Sequence, residues 1–170
     1  MVQPIQETEC TVLLNYLNDQ REHVLGILAG LDEPALRRPV LPSGWTCLGL
    51  VQHLALDVEQ FWFRAVVAGE PAAIDELART ADAWQVAPEV SAESVLNEYR
   101  KQIALANAIV GVTPLDAPPG WWPEDLFGDW RVHSLRQIIL HVMTETASHA
   151  GHLDVVRELI DGRQWLVLTE

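Results

Sequence analysis

Basic residues are scarce in this chain: 11 Lys and Arg stand against 24 Asp and Glu, a formal net charge of −13 over 170 residues. Nucleic-acid binding draws mainly on phosphate neutralisation by Lys and Arg, so a nucleic-acid partner is not expected. Anionic membrane surfaces are disfavoured for the same reason. Cysteine is nearly absent too. Cys10 and Cys47 make neither a metal nor a disulfide framework, and a reducing cytoplasm is the expected location. No apolar run approaches the roughly 18 residues needed to span a bilayer. The opening "MVQPIQETE" has no basic leader and no apolar core, so no export signal is expected. Strand-like alternation, internal repeats and low-complexity tracts are missing as well. What is present is the 49% hydrophobic and 21% charged composition of a soluble globular protein. Residues 1–170 read as one domain with a substantial core. Its expected partners are small molecules or a second copy of itself.

Four stretches repeat apolar residues at helical spacing, each followed by a glycine: 8–29 with Gly30, 46–68 with Gly69, 91–110 with Gly111 and 134–161 with Gly162. Glycine just past the last periodic residue is the left-handed stop signal. Thr46, Ser91 and Ser134 are suitable N-caps, and Ser134 with Gln137 forms a capping-box pair. The segments between, "RRPVLPSGW", "AGEPAAIDEL" and "APPGWWPEDLFGDW", read as loops. The expected fold is all-α, a four-helix bundle with up-down-up-down connectivity. Leu56 and Phe63 fall outside the main stripe of the second helix. Outward apolar residues of this kind predict a homodimer interface.

The fourth helix carries an anomaly. In "ETASHAGHLDVVRE", at roughly 100° per residue, His149 lies within about 20° of the apolar direction and Glu145 about 60° to one side. His152 and His141 lie on the flank, about 80° and 100° away. Thr146 is interior too, where a threonine satisfies itself on a backbone carbonyl. A buried carboxylate needs a cation or a proton close by. The i, i+4 spacing of Glu145 and His149 fits a buried polar pair and a two-residue grip on a metal equally well. Periodicity places His53 about 120° from the second helix's apolar centre, on its flank, and gives it no special role.

Two motifs carry a resemblance. "PSGWTCLGLVQHLA" and, about 90 residues on, "ETASHAGHLDVVRELIDG" resemble the DinB-like superfamily of metal-binding four-helix bundles. The branch is the actinobacterial one grouped with mycothiol-dependent transferases and maleylpyruvate isomerase. The resemblance implies one divalent metal between the second and fourth helices, held by His53, Glu145 and His149. Many relatives have histidine where this chain has Glu145. Two imidazoles, one carboxylate and an open position form the donor set of a catalytic zinc site, although nickel, iron and manganese accept the same donors.

The implied activity is a thiol S-transferase that uses mycothiol, or a similar small thiol, as cosubstrate on an electrophilic small molecule. The alternatives are a thiol-dependent cis-trans isomerase of the maleylpyruvate type and a non-catalytic, stress-related metal bundle. His152 is the one catalytic candidate beyond the metal donors; His141 and Asp57 are candidates for orienting them. Trp45, Trp121, Trp122 and Trp130 are expected to plug the bundle end rather than to form an apolar mouth. Cys47, although near a helix N-terminus, is expected to be a structural thiol.

Overall fold

The chain is described by a computed structural model over residues 8–77 and 82–165. The described residues form six helices and no strand, an all-α fold as expected. Four long segments make the bundle: α1 (Glu9–Leu28), α3 (Cys47–His53) with its continuation Leu54–Val67, α5 (Ala92–Val112) and α6 (Leu135–Asp161). Short α2 (Glu33–Leu36) and α4 (Pro71–Leu77) interrupt the connections. The expectation of a plain loop after Gly69 is thereby corrected. Pro71 opens α4 at the one helical position where its missing N–H costs nothing.

The caps are where sequence chemistry puts them. Thr46, Ser91 and Ser134 accept hydrogen bonds from the backbone N–H of Gly49, Ser94 and Gln137. Gln137 reaches back to the N–H of His133 at 2.7 Å, one residue before the cap rather than the cap itself. Gly162 stops α6 in the left-handed region at φ 79°. Gly111 does not stop α5, which runs on to Val112. The end is made instead by Thr113, whose hydroxyl donates to the Ile109 carbonyl at 2.7 Å, just ahead of Pro114.

Connectivity departs from the expected up-down-up-down order. Arg136 at the start of α6 donates to Glu9 at the start of α1, and Arg157 near the end of α6 donates to the Ile27 carbonyl. Helices α1 and α6 therefore run parallel. Gln102 donates to Gln60, and residues 55 and 56 share a groove with Ser94 and Val95, so α3 and its continuation run parallel to α5. His53 meets His149 while Trp62 meets His141, which sets the two pairs antiparallel. The order is up-down-down-up. The connection between Val67 and Ala92 crosses the length of the bundle.

Residues 54–67 wind more widely than an α-helix, with i→i+5 bonds such as Ala68 N–H to the Phe63 carbonyl at 3.0 Å. A π-helix of this length is unusual. Eleven of its fourteen residues are buried, so tertiary packing on every side holds the wide turn. Phe63, expected to point outward, is fully buried, with the Arg21 guanidinium 5.6 Å from its ring centroid. Leu56 is half-buried against the core. The dimer expectation thus loses its stated basis; exposed apolar side chains lie instead on α1 (Tyr16) and α6 (Val155, Leu159).

Arg21 and Glu59 form the bundle's buried ion pair, joined by two bonds of 2.7 and 2.6 Å at 1% exposure each. Asn18 and Asn107 take the remaining guanidinium nitrogen, Nη1. Burial pushes the Glu59 carboxyl up, against the pull of Arg21. Such a pair is worth little against an apolar replacement, but leaving one partner alone is costly. Arg21→Met is expected to lower stability by about 3–5 kcal/mol, and Arg21→Met with Glu59→Leu by much less. Chemical denaturation of the two variants checks this; equal losses would show that an unpaired Glu59 carries no penalty of its own.

Candidate metal centre

Helix α6 keeps one periodicity throughout, so Glu145 and His149 fall on successive turns of one face. The antiparallel approach of α3 brings His53, at the junction with the π segment, against them. One donor atom from each of the three lies within 4.8 Å of the others. His149 Nε2 is 3.3 Å and His53 Nε2 4.0 Å from Glu145 Oε1. Donors at about 2.0–2.2 Å from one tetrahedral ion stand roughly 3.4 Å apart, so the spacing suits a single ion after small adjustment.

The state of His53 fits the same reading. Asp57, one turn on, takes His53 Nδ1 at 2.9 Å and fixes that ring's orientation. His53 Nε2 and His149 Nδ1 are buried without a hydrogen-bond partner. For His53, a buried Nε2 whose opposite ring atom is already held by a carboxylate has the arrangement of a metal-ligating histidine; in His149 the bare atom is Nδ1, not the Nε2 that faces Glu145. Trp84 stacks on His53 at 4.3 Å and 19°. Gly49 permits this, because a Cβ there would stand 2.3 Å from the Trp84 carbonyl oxygen. Glu145 is more exposed than its phase on the helix implied, at 40%. Thr146 is buried and donates to the Val142 carbonyl, as expected.

A cavity of about 1070 Å³ opens beside His53 and Glu145. Phe61, Trp62, Trp121, Trp122 and Phe127 supply much of its wall. The tryptophan loop is pinned there by Gly120 and Trp121, whose N–H groups donate to the Val67 and Val66 carbonyls. Gly120 is required for that approach, since its Cβ would lie 2.8 Å from the Val67 oxygen. Trp121 and Trp122 therefore wall a cavity rather than plug the bundle end, which corrects the expectation. Trp130 is outside the wall, 5.3 Å from the His141 ring, and Trp45 sits 6.4 Å from the His152 ring.

His141 lines the cavity and packs on Trp62 at 4.6 Å. His152 is exposed and does not line the cavity; its ring lies 5.6 Å from that of His149. His23 takes no part and pairs with Asp154 at 2.8 Å. Cys47 is buried, and burial pushes its thiol up to about 11, the property of a structural cysteine. Trp84 and Phe127 were missed in the sequence. They lie in loops, where periodicity carries no signal.

An antiparallel helix pair that gathers two imidazoles and a carboxylate beside an apolar cavity suits the DinB-like superfamily of helical bundles, to which the matching family model belongs. Within it, the chain belongs to the mycothiol-S-transferase family, whose model matches residues 12–162. No curated protein and no solved structure matches the chain.

Two imidazoles of the site are held below the usual histidine range. For His149 the cause is burial, then the charge of His53, with Glu145 opposing; for His141 it is burial, again opposed by Glu145. The native metal-free protein therefore binds fewer protons than the unfolded chain just below about pH 6.5. This contribution to stability is complete above that pH and is lost as pH falls toward the lowered native values. The melting temperature of the metal-free protein is expected to drop between about pH 7 and 5.5, and His141→Gln to make the drop shallower. A pH-independent melting temperature over that range would contradict it.

Proposed function

We propose that the chain is a metal-dependent mycothiol S-transferase. His53, Glu145 and His149 hold a divalent ion, taken as zinc, and the aromatic cavity receives an electrophilic small molecule. The observation that carries the reading is the convergence of these three donors at the edge of that cavity, in a chain of the mycothiol-S-transferase family. Bound there, the ion supplies the Lewis acidity that deprotonates a coordinating thiol near neutral pH. The chain's own residues do the rest. Asp57 holds His53 in the tautomer that leaves Nε2 free to ligate. Trp84 covers the His53 ring and keeps water from it. The walls formed by Phe61, Trp62, Trp121 and Trp122 orient the electrophile toward the sulfur.

In the overall reaction the thiol sulfur forms a bond to the electrophilic carbon. The leaving group departs with its bonding pair, and the thiol proton passes to the medium. A cytoplasmic location completes the proposal; a homodimer, where one forms, would have to use exposed residues such as Tyr16, Val155 and Leu159 rather than Leu56 and Phe63.

One metal ion per chain is expected in the purified protein, falling well below that in His149→Ala. Asp57→Asn is expected to weaken metal affinity by about 10–100-fold without unfolding the bundle. Electrophile consumption should depend on added mycothiol, be abolished in Glu145→Ala and survive in Cys47→Ala. Full metal occupancy in His149→Ala would reject the ligand set. Consumption unchanged by thiol would reject the transferase and favour the metal-binding bundle without turnover.

A further inference from the structure

The lining of the cavity is as informative as its position. Half of its apolar lining residues are aromatic, and its charged lining residues, Asp57, Glu124, Asp125 and Glu145, are all acidic. Its imidazoles are His53 and His141. Burial pushes His141 down, so it brings no positive charge at neutral pH. Among the described residues, no Lys or Arg lines the cavity. Arg131 bonds Glu124 at 3.0 Å and lies 5.4 Å from the Trp122 ring centroid, so that carboxylate is offset and Asp125 is left as the unmatched acidic group of the tryptophan loop. An ion held by His53, Glu145 and His149 does not reverse the balance. Its two positive charges are matched by Glu145, within the donor set, and Asp57, on the His53 ring.

An anionic group entering this space gives up water and meets no Lys or Arg among the described lining residues; the cation within reach is the proposed ion, whose open position is the thiol's. A flat neutral molecule finds five aromatic rings among the lining residues. A cation finds the same rings together with the carboxylates. We infer that the cavity selects its occupant by charge: it accepts flat, apolar compounds that are neutral or cationic, and turns away those that carry a carboxylate or another anionic group. On the transferase reading, on which this assignment rests, that occupant is the electrophile. The same lining disfavours the isomerase alternative, since maleylpyruvate carries carboxylates that call for cationic partners.

Three probes that share a naphthalene ring and differ in the tail separate the outcomes: 2-naphthylacetamide, 2-naphthylacetate and 2-naphthylmethyltrimethylammonium. Each is titrated calorimetrically into the protein, both metal-loaded and metal-free, at low salt and about neutral pH with no thiol present, so that coordination of the acetate by the ion is told apart from the lining. The amide and the ammonium are expected to bind, and the acetate at least about ten-fold more weakly. Asp125→Asn, which touches none of the three donors, should narrow the gap between amide and acetate, as should added salt. Acetate binding as tight as the amide, or a gap unchanged in Asp125→Asn, overturns the selection; so does failure of all three to bind. Because no turnover is involved, the two readings fail separately. Thiol-independent chemistry with the binding order intact rejects the transferase alone. Thiol-dependent turnover with equal binding of amide and acetate rejects charge selection alone.

Discussion

One buried imidazole nitrogen without a hydrogen-bond partner, His53 Nε2, sets the constraint around which the site is organised. A packed interior ordinarily satisfies such atoms, because leaving them bare costs free energy. Here the surroundings maintain the arrangement. Asp57 occupies the far nitrogen of His53, Trp84 lies across its ring, and Glu145 approaches both imidazoles from α6. A divalent ion bound as proposed would relieve that cost for His53 and so link metal binding to the stability of the bundle. The local structure is therefore held in readiness for a ligand at some expense to the metal-free fold.

The topology explains how so much of the chain comes to surround one point. Parallel pairing of α3 with α5 forces the chain to cross the bundle between Val67 and Ala92. That crossing supplies Ile74 and Leu77 to the cavity and places Trp84 over His53. The later connection, between α5 and α6, delivers Trp121, Trp122 and Phe127 to the opposite wall. In an up-down-up-down bundle with short loops neither segment would have the length to reach. The long connections serve as the roof and wall of the site rather than as spacers.

How much of this was legible depends on where each residue sits. Glu145 and His149 could be read from the sequence because α6 is one regular helix, so a fixed angle per residue locates its interior face. The caps at Thr46, Ser91 and Ser134 were legible for a similar reason: they rest on the chemistry of one residue and its near neighbours. His53 was not. It sits where α-helical winding gives way to i→i+5 winding, and a stripe fitted across that junction assigns the wrong centre. Phe63 was misplaced by the same error. Only the resemblance to a known family singled out His53. The crossing order was hidden because loop length limits connectivity without choosing it, and the roles of Trp84, Trp121 and Trp122 depend on loop docking that has no period.

The origin of the sulfur follows from what the chain lacks. A thiolate is the competent nucleophile, and an ordinary thiol near pH 8.5 supplies only a few per cent of it at pH 7. Cys47 is worse placed than a free thiol, since burial pushes it up to about 11. Cys10 lies on α1, and its sulfur contacts the Val110 carbonyl at 4.0 Å, remote from the cavity lining. An internal cysteine nucleophile is thus absent from the site. Nor do the charged side chains lining the cavity favour a thiolate, because carboxylates raise a thiol's pKa and none of the described lining residues is Lys or Arg. On the proposed reading, an ion at His53, Glu145 and His149 would generate the nucleophile from a thiol brought from outside. The acidic composition that argued against a nucleic-acid partner then also bears on the chemistry: such a site would depend on a metal for its positive charge and on a diffusible cosubstrate for its sulfur.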